Sequence, residues 1–125
     1  MTKSPRRPRR GLANRICITK RARQNGVVTL EARIGVDGEK IGWADIARRT
    51  ESTIEIMSLY VEREYRQQGI GKLLVGAAVE WARACCGVAR ITLNSANRAE
   101  TFWRRMGFKN APADRLQWTM RFLAG

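Results

Sequence analysis

Residues 65–72, Tyr65-Arg66-Gln67-Gln68-Gly69-Ile70-Gly71-Lys72, combine the residue types and spacing that point most directly to chemistry. Hydrophobic alternation up to Val61 marks a strand, and apolar residues at Ile70, Leu73, Leu74, Ala77, Trp81 and Cys85 mark a helix that begins just after it. A glycine-bearing loop lies between them. Gly69 and Gly71 remove side chains where backbone N–H groups must approach a ligand closely. Those N–H groups and the helix dipole together favour an anion. Arg66 and Lys72 add positive charge on either side, which is the physics of a pyrophosphate cradle. Two common nucleotide motifs do not fit. A P-loop needs glycine at position 66 and Ser or Thr at 73, where this chain has Arg66 and Leu73. The dinucleotide fingerprint needs a third glycine at 74, and that residue is Leu74.

Other reactive groups are few. The chain contains no His, which excludes His-based triads, His metal sites and a His general base. Three cysteines, Cys17, Cys85 and Cys86, make an odd count without metal spacing. They read as buried thiols in a reducing compartment, so a cytoplasmic location and no metal are expected.

The elements that must position this loop follow from pattern. Ile16 and Ile18 alternate with Cys17 and Thr19 between Arg15 and Arg23, Gln24-Asn25-Gly26 reads as a turn, and Val27–Ile34, Lys40–Arg48 and Thr53–Val61 read as strands. The first half is thus an antiparallel meander. A helix over Gly69–Cys86, with Gly87 as its cap, leads to a strand over Val88–Leu93. A short helix spans Asn97–Met106, with Asn97 at its N-cap and Gly107 as its stop. A short strand near Phe108 and a final strand over Leu116–Leu123 complete the order.

At 125 residues, 44% hydrophobic and 28% charged, the chain suits one domain with a real core. No apolar run approaches the roughly 18 residues of a membrane span, and no secretory signal is visible at the N-terminus. The net charge is +13, but nine Lys/Arg and no acid fall within residues 1–25, leaving a net +4 on the rest. Residues 1–13, with two Pro and four Arg, read as a basic mobile arm on a single domain over 14–125. Residues 3–23 could contact nucleic acid or an acidic partner electrostatically, although no aromatic residue interleaves the arm's arginines for base stacking.

The spacing Arg66-x-x-Gly69-x-Gly71 resembles the acyl-CoA loop of the GNAT acetyltransferase family. The likeness extends from Leu59-Tyr60-Val61 through Gly69-Ile70-Gly71-Lys72-Leu73-Leu74 to Ala99, Phe102, Trp103 and Met106-Gly107-Phe108, covering residues 53–123. It implies an α/β (α+β) fold: a mixed, mostly antiparallel central sheet of about six or seven strands with two helices. It also implies an acetyl-CoA-dependent N-acetyltransferase that works by direct attack of an amine, with acetyl-CoA as co-substrate. Carried over, the pyrophosphate would meet N–H groups within Arg66, Gln67, Gln68, Gly69, Ile70, Gly71 and Lys72. The pantetheine arm would pair with the strand edge at Leu59, Tyr60 and Val61, and an Asn, either Asn97 or Asn94, would bond it. Strands paired across a homodimer are common in the family.

Three departures from the family pattern stand out. Trp103 occupies a position where many members carry the Tyr that protonates the leaving thiolate; an indole N–H donates but does not serve as a proton source, although its ring can pack against CoA. The fourth-strand Glu that some protein-acetylating members use as base corresponds to Glu55, which alternates with Ile54 and Ile56; as an ordinary residue at this position it would be a solvated strand side chain. The two helices that usually follow the first strand are replaced by three residues, Gln24 to Gly26, which would leave an open groove suited to a protein lysine or N-terminus. The competing reading is a catalytically weak module of this fold that binds CoA, nucleic acid or a protein through its basic arm.

Overall fold

The computed structural model describes residues 12, 14–95, 99–111 and 114–122. Among these, the strands are β1 (Ile16–Ala22), β2 (Val27–Ile34), β3 (Lys40–Arg48), β4 (Thr53–Val61), β5 (Arg90–Asn94), β6 (Lys109–Ala111) and β7 (Asp114–Arg121). They form one sheet in the order β1-β2-β3-β4-β5-β7-β6. All neighbours are antiparallel except β4 and β5, which run parallel. The helices are α1 (Ile70–Ala84) and α2 (Glu100–Arg105). The expected meander, the two helices and the mixed, mostly antiparallel sheet are present.

The meander forms because β1 and β2 meet across a turn at Gln24–Gly26, where Asn25 (φ 65°) and Gly26 (φ 75°) take the left-handed conformation that Asn and Gly tolerate best. Ala22 pairs with Val28, so nothing is inserted between these strands. α1 packs across β1 to β5 through Ile70, Leu74, Val75, Ala78 and Ala82, a helical stripe in which every member is buried. Against it lie Leu30, Ala32, Ala44, Ile46, Ile54, Ile56, Ile91 and Leu93. Burying one such Leu or Ile side chain stabilises the fold by about 1.5–3 kcal/mol.

The other face of the meander is polar. Thr29 donates to Asp45 (2.6 Å), Ser58 donates to the other oxygen of Asp45 (2.9 Å), Arg33 donates to Glu31 (2.8 Å) and Arg49 pairs with Glu55 (2.6 Å). Trp43 and Tyr60, opposite one another in β3 and β4, stack with centroids 4.7 Å apart.

Some boundaries differ from the sequence expectation. β5 starts at Arg90 rather than Val88, because the Ala89 and Arg90 N–H groups both turn onto the Ser52 carbonyl. α1 ends at Ala84, and Gly87 (φ 85°) bends the following turn instead of capping the helix. The last strand starts at Asp114, drawn forward by its pairing with Ala111 in β6. The described part of the second helix begins at Glu100; Asn97, its expected cap, lies outside the described residues.

The cysteines are not the buried thiols that were expected: Cys17 and Cys85 are half-buried and Cys86 is exposed. Cys17 lies on the polar face of β1, and Cys85 and Cys86 follow the end of α1. Of the arm expected over residues 1–13, only Leu12 is described, and it is helical and packed into the core. Among the described residues no helix is long and apolar enough to cross a membrane.

Candidate active site

The site is created by a break in the sheet. β4 and β5 pair only from Thr53–Arg90 to Ile56–Leu93. At the next residue β4 carries a bulge: Ile56 faces Ile46 and Ser58 faces Asp45, which leaves Met57 as the extra residue. The bulge restores the alternation one residue late, so Ile54, Ile56, Leu59 and Val61 share the helix-covered face while Glu55, Ser58 and Tyr60 share the polar one. Beyond Ile56 the two strands part.

Two cavities occupy the opening. The first, about 470 Å³, is walled by Leu59 and Val61 from β4, by Tyr65, Arg66, Gln67, Gly69, Ile70, Gly71 and Lys72 from the loop and α1, and by Phe102, Arg105 and Met106 from α2. The second, about 260 Å³, lies between the strand ends and is walled by Ile56 to Leu59, Leu93, Asn94, Ser95, Ala99, Phe102 and Trp103. Leu59 and Phe102 border both, so the two are contiguous.

The loop that opens the first cavity presents donors. Gln67 (φ 61°) and Gly69 (φ 88°) both take the left-handed conformation, which turns successive N–H groups toward one side. Gly69 caps α1 without a side-chain hydrogen bond, and the first bond of the helix is Leu73 N–H to the Gly69 carbonyl at 3.1 Å. The backbone N–H groups of Gln67 to Lys72 therefore have no acceptor within the described protein. A Cβ placed on Gly71 would meet only the Phe102 ring, at 3.7 Å, an ordinary contact. Packing alone does not demand glycine there; a ligand against the backbone would. Lys72 and Arg105 bring two more positive charges to the cavity wall.

Arg66 does more than contribute charge. Its Nε donates to the Val61 carbonyl (2.7 Å), and its guanidinium sits 5.4 Å from the centre of the Tyr60 ring. It staples the loop to the end of β4 and uses the Val61 carbonyl in doing so. Leu59, two residues earlier, points its N–H and C=O to the same edge. Tyr65, in the wall of the first cavity, has its phenol raised above the usual range by the Glu39 charge first, then by burial and by Glu64. It holds its proton tightly.

Among the residues singled out from sequence, Leu59, Val61, Arg66, Gln67, Gly69, Ile70, Gly71 and Lys72 line the first cavity, and Leu59, Asn94 and Trp103 line the second. Gln68 turns aside and donates to the Glu64 carbonyl at 3.3 Å. Tyr60 projects to the polar face against Trp43, so its ring is outside both cavities, and its backbone groups, alternating with those of Leu59 and Val61, face β3 rather than the open edge. Glu55 is also on that face, one residue before the cavity wall begins, with its carboxylate on Arg49. Asn97 lies outside the described residues. Met57, Ser95 and Arg105 were not anticipated. The 102-105-106 spacing on α2, which puts Phe102, Arg105 and Met106 on one helical face, was a signal that could have found the last of these.

The described fold recurs in known proteins. A family model described as the acetyltransferase (GNAT) family matches residues 4–108. An uncharacterized N-acetyltransferase of Chlorobaculum tepidum is 42% identical over 74 residues, which are 58% of this chain and 44% of the relative. The chain thus matches less than half of that relative's length. A GNAT family acetyltransferase from Elizabethkingia anophelis, solved with acetyl-CoA bound, superposes with a TM-score of 0.73 at 14% identity, over 87% of this chain and 99% of that one. An N-acetyltransferase from Thermoplasma acidophilum in complex with coenzyme A gives 0.65 at 22% identity, over 78% and 62% of the two chains. The two solved structures share the fold, and the family match reaches from ahead of β1 to Phe108 just past α2, so that meander, glycine loop and α2 all fall within it: this protein belongs to the acetyltransferase (GNAT) family.

Proposed function

We propose that the protein is an N-acetyltransferase that uses acetyl-CoA as donor. The observation that carries this reading is the row of unpartnered N–H groups from Gln67 to Lys72, opening into a cavity that continues between the parted ends of β4 and β5. The loop is suited to a pyrophosphate, the Leu59 edge and Asn94 to the amides of a pantetheine arm, and the second cavity to the thioester. Of the two solved relatives named above, one holds acetyl-CoA and the other coenzyme A.

The acceptor amine approaches from the polar face, where the three-residue β1–β2 turn leaves the sheet uncovered. An ammonium must lose a proton before it attacks. Glu55 is the carboxylate on this face nearest the splay in sequence, and it takes that proton in this reading. The amine nitrogen then bonds the acetyl carbon, the carbon–sulfur bond breaks, and the CoA thiolate takes a proton from solvent. A backbone N–H at the Leu59 edge polarises the carbonyl. The uncovered face favours a bulky acceptor, a protein lysine or N-terminus, in a reducing, cytoplasmic setting.

Thermal denaturation with and without acetyl-CoA, followed by thiol release with a panel of peptides and small amines, tests the proposal. A shift in melting temperature together with turnover on peptides is the expected result. A shift without turnover on any amine supports a CoA-binding module instead, and no shift removes the acetyl-CoA reading.

A further inference from the structure

The uncovered face of the meander holds two further hollows, and they connect with the site. One, about 480 Å³, is walled by Arg23, Gln24, Asn25, Val27, Asp45 and Met57. The other, about 390 Å³, is lined by Arg21, Arg23, Lys40 and Asp45 together with the buried Thr29 and Glu31. Met57, the bulged residue of β4, also borders the cavity between the strand ends, while Arg23 and Asp45 border both hollows. A track thus runs from the parted strands, past Met57, to Arg21 and Arg23 at the end of β1. Its far end is positive. Arg21, Arg23, Lys40 and the adjoining Arg33 face two carboxylates, Glu31 and Asp45, and both carboxylates are already satisfied. Glu31 accepts from Arg33 at 2.8 Å and lies 3.8 Å from Lys40. Asp45 accepts from Thr29 at 2.6 Å and from Ser58 at 2.9 Å. The surplus charge sits on two guanidinium groups. Arg23, 55% exposed, keeps only long contacts, 3.6 Å to Asp45 and 3.5 Å to Thr29. Arg21 makes no ion pair or side-chain hydrogen bond among the described residues.

We infer that Arg21 and Arg23 form a subsite for a carboxylate on the acceptor, so that the protein selects peptides with an Asp or Glu close to the reactive amine. The inference rests on the N-acetyltransferase reading above and narrows its acceptor class. A guanidinium offers N–H donors in a planar fork that matches a carboxylate, and hydrogen bonds between two charged partners are the strong ones. The spacing fits a peptide. The Ser58 hydroxyl stands where the track begins, and contacts of 2.9 and 3.6 Å join it through the Asp45 carboxylate to the Arg23 guanidinium. About two or three residues of extended chain, at about 3.3 Å each, cover that span. Nucleic acid suits the face less well. The Trp43 and Tyr60 rings stack on one another, with Lys40 at 5.1 Å from the first and Arg66 at 5.4 Å from the second, so a base would have to displace partners these rings already have.

The test pairs turnover with binding, using the full chain and peptides that carry Asp, Gln or Lys at one position near the amine. With acetyl-CoA as donor, kcat/KM should be roughly tenfold higher on the Asp peptide than on the Gln peptide, and lowest on the Lys peptide. Calorimetry of the same peptides on the CoA-bound protein should give the same order. Arg21→Gln with Arg23→Gln should erase the preference and leave acetyl-CoA affinity unchanged, since neither residue lines the two cavities of the donor site. Arg21→Glu with Arg23→Glu should reverse the preference in favour of Lys. Should these double variants fail to fold, the wild type supplies the readout: its preference should fade as salt rises from about 0.05 to about 0.5 M. Equal use of the three peptides, or an Asp preference that survives Arg21→Gln with Arg23→Gln, overturns the inference and leaves the N-acetyltransferase reading intact. Asp-selective binding without turnover keeps the subsite and overturns that reading. A uridine oligomer that binds where no peptide does, and is lost in the same double variant, makes the face a nucleic-acid surface and overturns the inference. Neither binding nor turnover of any peptide overturns both.

Discussion

Phe108 donates its backbone N–H to the Trp103 carbonyl at 3.0 Å, and the two rings meet edge-to-face with centroids 5.5 Å apart. With the Gly107 N–H on the Arg104 carbonyl, also 3.0 Å, this is a Schellman closure of α2, complete with the hydrophobic contact that accompanies it. The Met-Gly-Phe run at residues 106–108 is thus a device for fixing Trp103 at the wall of the splay. A helix of six residues has little stability of its own, so its end must be held by such contacts.

Gly107→Ala tests that device. Gly107 has φ of 97°, and a Cβ there would lie 3.2 Å from the Met120 methyl. The left-handed conformation costs about 1–2 kcal/mol for a residue with a Cβ. The melting temperature should fall by roughly 3 °C or more, at about 2–8 °C per kcal/mol for domains near this size. Acetyl-CoA should also stabilise the variant less than it stabilises the wild type, because the second cavity loses its fixed wall.

Gly71→Ala should have effects of opposite sign. Ala is favoured over Gly in a helix by up to about 1 kcal/mol, and the new methyl would make only ordinary contact with Phe102. The free protein should therefore melt at the same temperature or higher. Acetyl-CoA affinity should drop roughly tenfold, about 1.4 kcal/mol, because the methyl stands where a ligand meets the backbone. Calorimetric binding beside thermal denaturation separates the two; equal affinity would remove Gly71 from the cradle.

Much of this site could be read from local pattern. Period-2 alternation located the four meander strands, and the two glycines located the helix entry, because both signals are set by neighbouring residues. What escaped depends on distant pairing. The bulge at Met57 exists because β3 fixes the register of β4, and the second cavity exists because β5 stops pairing with β4 after Leu93. Nothing local in the sequence marks Tyr60 as turned away from the cavity, or Arg66 as bonded to Val61. Cys86 was misread because cysteine's average preference for burial says little about a residue placed just past a helix end.

Glu31 should make stability depend on acidity. It is 4% exposed on the polar face, and its carboxyl is held below the usual range, chiefly by the hydrogen bond from Arg33, against the opposing effect of burial and with help from the charges of Arg21, Arg33 and Lys40. Because the unfolded chain takes up this proton first, at about pH 4.3, the stabilisation is complete above that value. It is lost as pH falls through the lower folded value. Glu31→Gln should reduce unfolding free energy by about 1–3 kcal/mol at pH 7. The gap from wild type should close in denaturant titrations below about pH 4. A gap independent of pH would mean that packing, not charge, makes the difference.

Glu55→Gln tests the assignment of the base. Glu55 pairs in register with Thr92 of β5 at the last rungs before the strands part, and its carboxylate accepts from Arg49 at 2.6 Å. It is therefore beside the opening through which an amine on the polar face would reach the thioester, yet it does not line the cavity itself. A carboxylate placed this way acts on the amine before attack, directly or through one water. Removing it should lower kcat/KM by roughly 10²-fold. Acetyl-CoA affinity should stay unchanged, because Glu55 lines neither cavity and does not touch the glycine loop. Arg49→Gln is the control: it breaks the same ion pair but keeps the carboxylate, so turnover should persist. If Glu55→Gln turns over normally across the pH range, the amine loses its proton to another group or to solvent, and the Arg49–Glu55 pair is an ordinary cross-link of the exposed sheet face.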